Sequence, residues 1–190
     1  MNTFAYTIRM LILLAVAPVL FTGCLVAEKQ EYIYRVNEDG SGSGTIRYIN
    51  LVSQDNTENE DNSFDDFSEL LDYIEGTQLE QDSPYLSITE KKLYEENGVL
   101  VGEFSFTFTA WDSVGFLHTT GCECCPTFYH FENTSSETYE SSNGEYIGGS
   151  GMFPFVRYPA GTREFRLTTK TLDDLSGTHP LIDDYRGWKK

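Results

Sequence analysis

Three thiols crowded into four residues are the chemically most distinctive feature of this chain. They lie in Gly121-Cys122-Glu123-Cys124-Cys125-Pro126, with His118 before them and His130 after. Thiolates and imidazoles are ligands for soft or borderline cations, so Cys122, Cys124, Cys125, His118 and His130 form a candidate set for Cu(I) or Zn. A second C-x-x-C pair is missing, and no full zinc-finger pattern is present. Cys122 and Cys125 themselves stand in a C-x-x-C relation. In an oxidising compartment they can close a local disulfide, which leaves Cys124 over. We prefer that reading to a metal site, and no cofactor is expected. Spacing alone leaves other pairings open, a vicinal Cys124–Cys125 bond among them. Thioredoxin-like chemistry would need a βαβ pattern before the motif and a helix after it, where this chain has Pro126.

The carboxylates offer weaker chemistry. Asn37-Glu38-Asp39-Gly40-Ser41-Gly42 echoes the first half of a calcium loop, but Tyr48 stands where the bidentate Glu belongs and no helices flank it. A hairpin turn is the better reading. Asp55 to Asp61 gathers oxygen ligands without a defined spacing, enough for a weak calcium site at most. Asp173-Asp174 and Asp183-Asp184 are adjacent pairs, and adjacent side chains usually point apart, whereas acid–base work needs convergence. His179, before Pro180, reads as a loop residue. Arg157, Arg163 and Arg166 form a positive spot that could meet the acidic face of a helix over Ser63–Gly76 or an anionic partner. The chain has no G-x-S-x-G elbow, no H-E-x-x-H and no phosphate-binding glycine loop, so an enzyme is not expected.

The compartment follows from the N-terminus. Arg9 precedes an apolar run from Met10 to Phe21, then Thr22, Gly23 and Cys24, the layout of a secretory signal over residues 1–23. The run is too short to span a bilayer, which takes roughly 20 apolar residues. Phe21-Thr22-Gly23-Cys24 resembles the signal of bacterial lipoproteins. The resemblance implies a diacylglycerol on the Cys24 sulfur, often with an N-acyl chain, and so a membrane partner reached through lipid. Leu25 follows the cysteine where an Asp would favour the inner membrane, so the family pattern implies a cell-envelope protein, with the outer membrane favoured. A second resemblance rests on Tyr32-x-Tyr34-x-Val36-x-x-Asp39-Gly40-Ser41-Gly42, which looks like the opening of small uncharacterised bacterial lipoproteins. Their mature domains are usually antiparallel sheets with a helix on one face. That family brings a fold expectation and no activity.

Elements must now be found to hold these groups. Residues 24–30 read as a polar tether, and residues 31–190 as a single domain, long enough for a real core. Glu31–Val36 and Thr45–Val52 read as a hairpin, with Tyr32, Tyr34 and Val36 on one face and Ile46, Tyr48 and Val52 on the partner's. Phe64, Phe67, Leu70, Leu71 and Ile74 form an apolar stripe on a helix that Ser63 caps at its N-terminus and Gly76 ends. Leu86–Glu95 and Val99–Thr109 flank Asn97-Gly98, a strong hairpin signal. Thr127–Phe131, Phe153–Arg157 and Arg163–Thr169 read as further strands, with Pro154 placing the second at an edge. Residues 132–150 read as a long loop or irregular hairpin, and Leu181–Trp188 as a closing helix. The expected class is therefore α+β: an antiparallel sheet of about five or six strands with one principal amphipathic helix packed on one face.

Charge narrows the partners. The chain has 13 basic and 30 acidic residues, and nearly all the acidic excess lies before Gly151. Such a body repels phosphates, so no nucleic acid is expected. The sequence thus points to a non-catalytic, lipid-anchored envelope protein that binds an unknown envelope protein or polymer. The alternative is a soft-metal-binding lipoprotein using the cysteine cluster.

Overall fold

The structure is a computed structural model and describes residues 25–55, 61–119, 121–122, 124–130, 137–148 and 154–190. The signal segment and the lipid-attachment residue Cys24 lie outside the described residues. Among the described residues the protein is mainly antiparallel β, with three short α-helices.

Eleven strands are described: β1 (Leu25–Val36), β2 (Gly42–Gln54), β3 (Ser87–Glu96), β4 (Val99–Phe108), β5 (Phe116–Leu117), β6 (Thr127–His130), β7 (Thr138–Ser142), β8 (Glu145–Tyr146), β9 (Phe155–Tyr158), β10 (Glu164–Lys170) and β11 (Thr178–Pro180). Helices α1 (Ser63–Ile74), α2 (Gln78–Asp82) and α3 (Ile182–Trp188) complete the fold. Instead of one sheet of five or six strands there are two. The larger runs β3-β4-β2-β1-β10-β7, with β11 beside the end of β2, and the smaller runs β5-β6-β9-β8. The two sheets meet through Asn143-Gly144, between β7 and β8, where Tyr139 stacks on Tyr146 at 4.3 Å.

Both predicted hairpins form. β1 pairs with β2 through Tyr32↔Ile46, and β3 with β4 through Glu96↔Val99. Asn97 and Gly98 take φ of 53° and 84°, the left-handed pair that matches the twist of a two-residue turn. Phe104, Phe106 and Phe108 are buried, as their alternation requires.

Four expectations need correction. Residues 25–30 are not a tether: they are the first half of β1, paired with β2, and Leu25 and Ala27 are buried. Their apolar members fit the core once β2 extends to Gln54. Phe64 does not join the helical stripe and is 75 % exposed, while Asp66 is 4 % exposed. The Ser53 hydroxyl, 2.5 Å from Asp66 Oδ2, satisfies the buried carboxylate from β2. The helix also lacks a Ser63 cap; Asp61 Oδ1 instead accepts the Ser63 N–H at 2.9 Å. Finally, β9 is internal, between β6 and β8, because Pro154 precedes the strand and removes no ladder bond.

One face of the larger sheet carries the core. Tyr32, Tyr34, Val36, Ile46, Tyr48, Phe104, Phe106, Phe165 and Leu167 point into it. Phe67, Leu70 and Tyr73 of α1 cover one end of that face. Phe116, Tyr129, Val156 and Tyr158 of the smaller sheet cover the other. Tyr34 meets Phe116 edge-on at 5.2 Å, Phe165 meets Phe116 at 4.6 Å, and Tyr158 meets Phe165 edge-on at 4.8 Å. Strand alternation slips at Asn50, whose φ is 58°. Tyr48 and Leu51 consequently line the same ≈ 30 Å³ cavity under Leu70 and Tyr73. Asn50 Nδ2 donates to Glu28 Oε2 at 2.7 Å and holds the irregularity in place.

Candidate functional site

The cysteine segment connects β5 to β6 at the outer end of the smaller sheet. Trp111 organises its surroundings. It sits on a short 3-10 turn, Trp111–Val114, that Gly115 ends with φ of 81°. The β1–β2 turn closes over the ring: a Cβ on Gly40 would come within 2.7 Å of Trp111 Cδ1. His118 stacks on the ring at 4.6 Å and 17°. The edges of Phe116 and Phe165 hold it from below, each at 5.8 Å. A cleft of ≈ 580 Å³ opens beside it, lined by Glu38, Trp111, His118, Cys122, Thr127 and Arg163 among others. His118 Nδ1 lies 3.0 Å from Thr127 Oγ1, and one of the two hydrogen-bonds the other.

Cys122 and Cys125 sulfurs are 2.11 Å apart, a disulfide separation, with Cα atoms 5.4 Å apart. Cys124 is exposed and free, and its sulfur lies 3.5 Å from that of Cys122. The three sulfurs all lie within 4.8 Å of one another. Neither histidine joins this group. His118 is committed to Trp111 and Thr127, and His130 lies on β6 with its ring against Phe155 at 5.2 Å. Of the five candidate metal ligands, then, the fold gathers the three sulfurs. With two of them bonded to each other, a single thiol is left to act. In the reduced state all three become available to a soft cation.

The other candidates find ordinary partners. Asp39 Oδ1 accepts both the N–H and the hydroxyl of Ser41, which pulls its carboxyl below the usual range and spends it on the hairpin turn. Asp174 does the same for Ser176. Arg157, Arg163 and Arg166 do not converge. They reach Glu145, Glu38 and Glu164 separately. Asp183 contacts Arg186. His179 is more than a loop residue: β11 carries it to β2, where its Nε2 is 2.7 Å from Asp55 Oδ1.

Sequence reasoning missed a buried polar cluster. Glu137, 3 % exposed, takes the Thr169 hydroxyl on Oε1, with the Tyr32 hydroxyl 3.1 Å away. The same phenol lies 2.6 Å from Gln30 Oε1. Burial, then the neighbouring Glu137 charge, pushes the Tyr32 phenol well up. Alternation marked Tyr32 as an inward residue, but nothing local marks Glu137, which lies in a polar stretch. No family model, no curated protein and no solved structure matches the chain.

Proposed function

We propose that this chain is a lipid-anchored lipoprotein of a bacterial cell envelope, held through Cys24, that acts without catalysis by binding an envelope protein or polymer. The outer membrane is the favoured site, from Leu25 following the cysteine. One observation carries the reading: the lipoprotein-like signal ends at Cys24, and the next residue, Leu25, is already core, 1 % exposed and paired with Ser53. Cleavage before Cys24 would therefore remove the signal and leave the described fold whole. Lipid would then supply the attachment, since two or more acyl chains anchor stably where one does not. The cleft beside Trp111 offers a concave, polar surface to a partner. Replacing Cys24 with Ala tests the anchor. The protein should leave the membrane fraction for the soluble one, and unchanged membrane association sinks the reading.

A second reading, a soft-metal-binding lipoprotein, is favoured by the three sulfurs within 4.8 Å. Protein purified under reducing conditions should then carry Cu(I) or Zn that disappears when Cys122, Cys124 and Cys125 are replaced by Ser. Equal metal content in the two proteins rejects it.

A further inference from the structure

The end of the larger sheet that holds Leu25 collects apolar side chains that burial elsewhere does not explain. Among the described residues five large hydrophobic side chains are exposed: Phe64, Leu117, Tyr146, Leu175 and Trp188. Scattered exposures of this kind are ordinary. Three of these are not scattered. Leu25 pairs with Ser53, and the Ser53 hydroxyl holds Asp66, two residues after Phe64. Ser53 also pairs with His179, and Gln54 with Thr178 of β11. The Leu175 carbonyl accepts the Thr178 N–H, at the foot of the same strand. Trp188 packs edge-on against Phe67, one helical turn from Phe64, at 6.5 Å. The elements that carry Phe64, Leu175 and Trp188 thus meet at the end of the sheet where the chain arrives from Cys24.

We propose that this end of the domain is a membrane-contacting face, with Phe64, Leu175 and Trp188 entering the interfacial layer of a zwitterionic bilayer. The proposal rests on the Cys24 anchor. Successive Cα atoms are about 3.8 Å apart, so a lipid on Cys24 leaves no slack before Leu25. The sheet end must then lie at the headgroups, and what it presents there meets lipid. Tryptophan is the side chain most at home in that layer, and lysines often flank it. Trp188 is followed by Lys189 and Lys190. Lys189 Nζ lies 2.8 Å from the Tyr185 hydroxyl, turned back onto its own helix. Charge selects the lipid. Asp55 follows the end of β2, Asp61 lies against His179 of β11, and Asp65 follows Phe64, so a negative leaflet would repel this end.

The full-length lipidated protein, reconstituted in vesicles of dibrominated phosphatidylcholine, tests the contact by quenching of tryptophan emission. The chain has two tryptophans, and Trp111 lies beside Gly40 of the β1–β2 turn, at the opposite end of β1 from Leu25 and so away from the bilayer. Roughly half the emission should therefore be quenched, and Trp188→Phe should abolish that quenching. Exchanging Phe64 and Leu175 together for Ser, at exposed positions that leave the core intact, should weaken it severalfold. Intact mass and vesicle sedimentation are read on the same sample. A chain without lipid on Cys24 overturns the anchor and this proposal together. A lipidated, sedimenting chain whose Trp188 is unquenched overturns the contact alone. Weaker quenching with anionic lipid present supports the assigned surface, and stronger quenching overturns it.

Discussion

Tyr32 and Arg47 belong to one pair of strands and live in different chemistries. The inner face of β1 and β2 is closed by aromatic rings from both sheets, and its few polar atoms are satisfied internally. The outer face carries a lattice of charges. Arg47 reaches Glu31 and Glu96 at 2.5 Å and Glu103 at 3.5 Å, with the Tyr94 hydroxyl 3.3 Å from its Nε. Lys92 lies between Glu90 and Glu103, and Glu164 holds Arg35 and Arg166. On this face of a strongly acidic chain, Arg47 and Lys92 are each shared among several carboxylates. Such contacts order a surface but stabilise it little, because water already solvates the ions. The inner face has no such competitor. Energy should therefore be concentrated on one side of a single layer of backbone.

Alkali separates the two faces most sharply. Burial holds the phenols of Tyr32, Tyr34, Tyr129 and Tyr158 above their ordinary value of 10.0. Raised folded values mean that the stabilisation is complete below pH 10 and declines above it, as the unfolded chain ionises and the folded one does not. Each phenol so held costs about 1.4 kcal/mol per pH unit in that range. Phenolate absorbance should rise in two stages, the second coinciding with loss of near-ultraviolet circular dichroism. Smooth ionisation of every tyrosine in an intact fold would contradict this account.

Cutting one ring from the inner face comes next. Phe116 touches Tyr34, Trp111, Tyr129, Tyr158 and Phe165. Phe116→Ala should lower stability by about 3–5 kcal/mol in urea denaturation, from lost burial plus the cavity. A loss below 1 kcal/mol would mean that the two sheets do not depend on each other. Arg47→Ala should cost least, about 1 kcal/mol, with the deficit shrinking in 0.5 M salt as screening relieves the three carboxylates left behind. A salt-independent loss would instead mark Arg47 as a packing residue.

Much of this contrast was legible beforehand. Alternation identified the inward faces of β1, β2 and β4, and Asn97-Gly98 placed a turn, because both signals are local. The C-x-x-C spacing favours pairing of Cys122 with Cys125, and the fold selects it over the vicinal alternative. What escaped depends on distant partners. Asp66 is buried only because Ser53 meets it, and Phe64 is exposed because α1 turns a different arc toward the sheet. β6 and β9 were legible as strands, but β5 and β8, of two residues each, carry too few alternations to be read, so the smaller sheet was invisible as a unit. Sequence proximity also suggested that His118 and His130 would join the thiols. Stacking on Trp111 and the register of β6 take them elsewhere.

The pairing of β1 with β10, from Lys29↔Lys170 to Arg35↔Glu164, has a consequence in time. A polypeptide is made from its first residue onward. Here the earliest strand must wait for almost the entire remainder to arrive before its second neighbour exists. Until then β1 has one open edge, and Tyr32, Tyr34 and Phe106 lack the far side of their enclosure. Closing so long a loop is slow compared with forming either hairpin. The two hairpins must therefore form first and wait for the seam that joins β1 to β10.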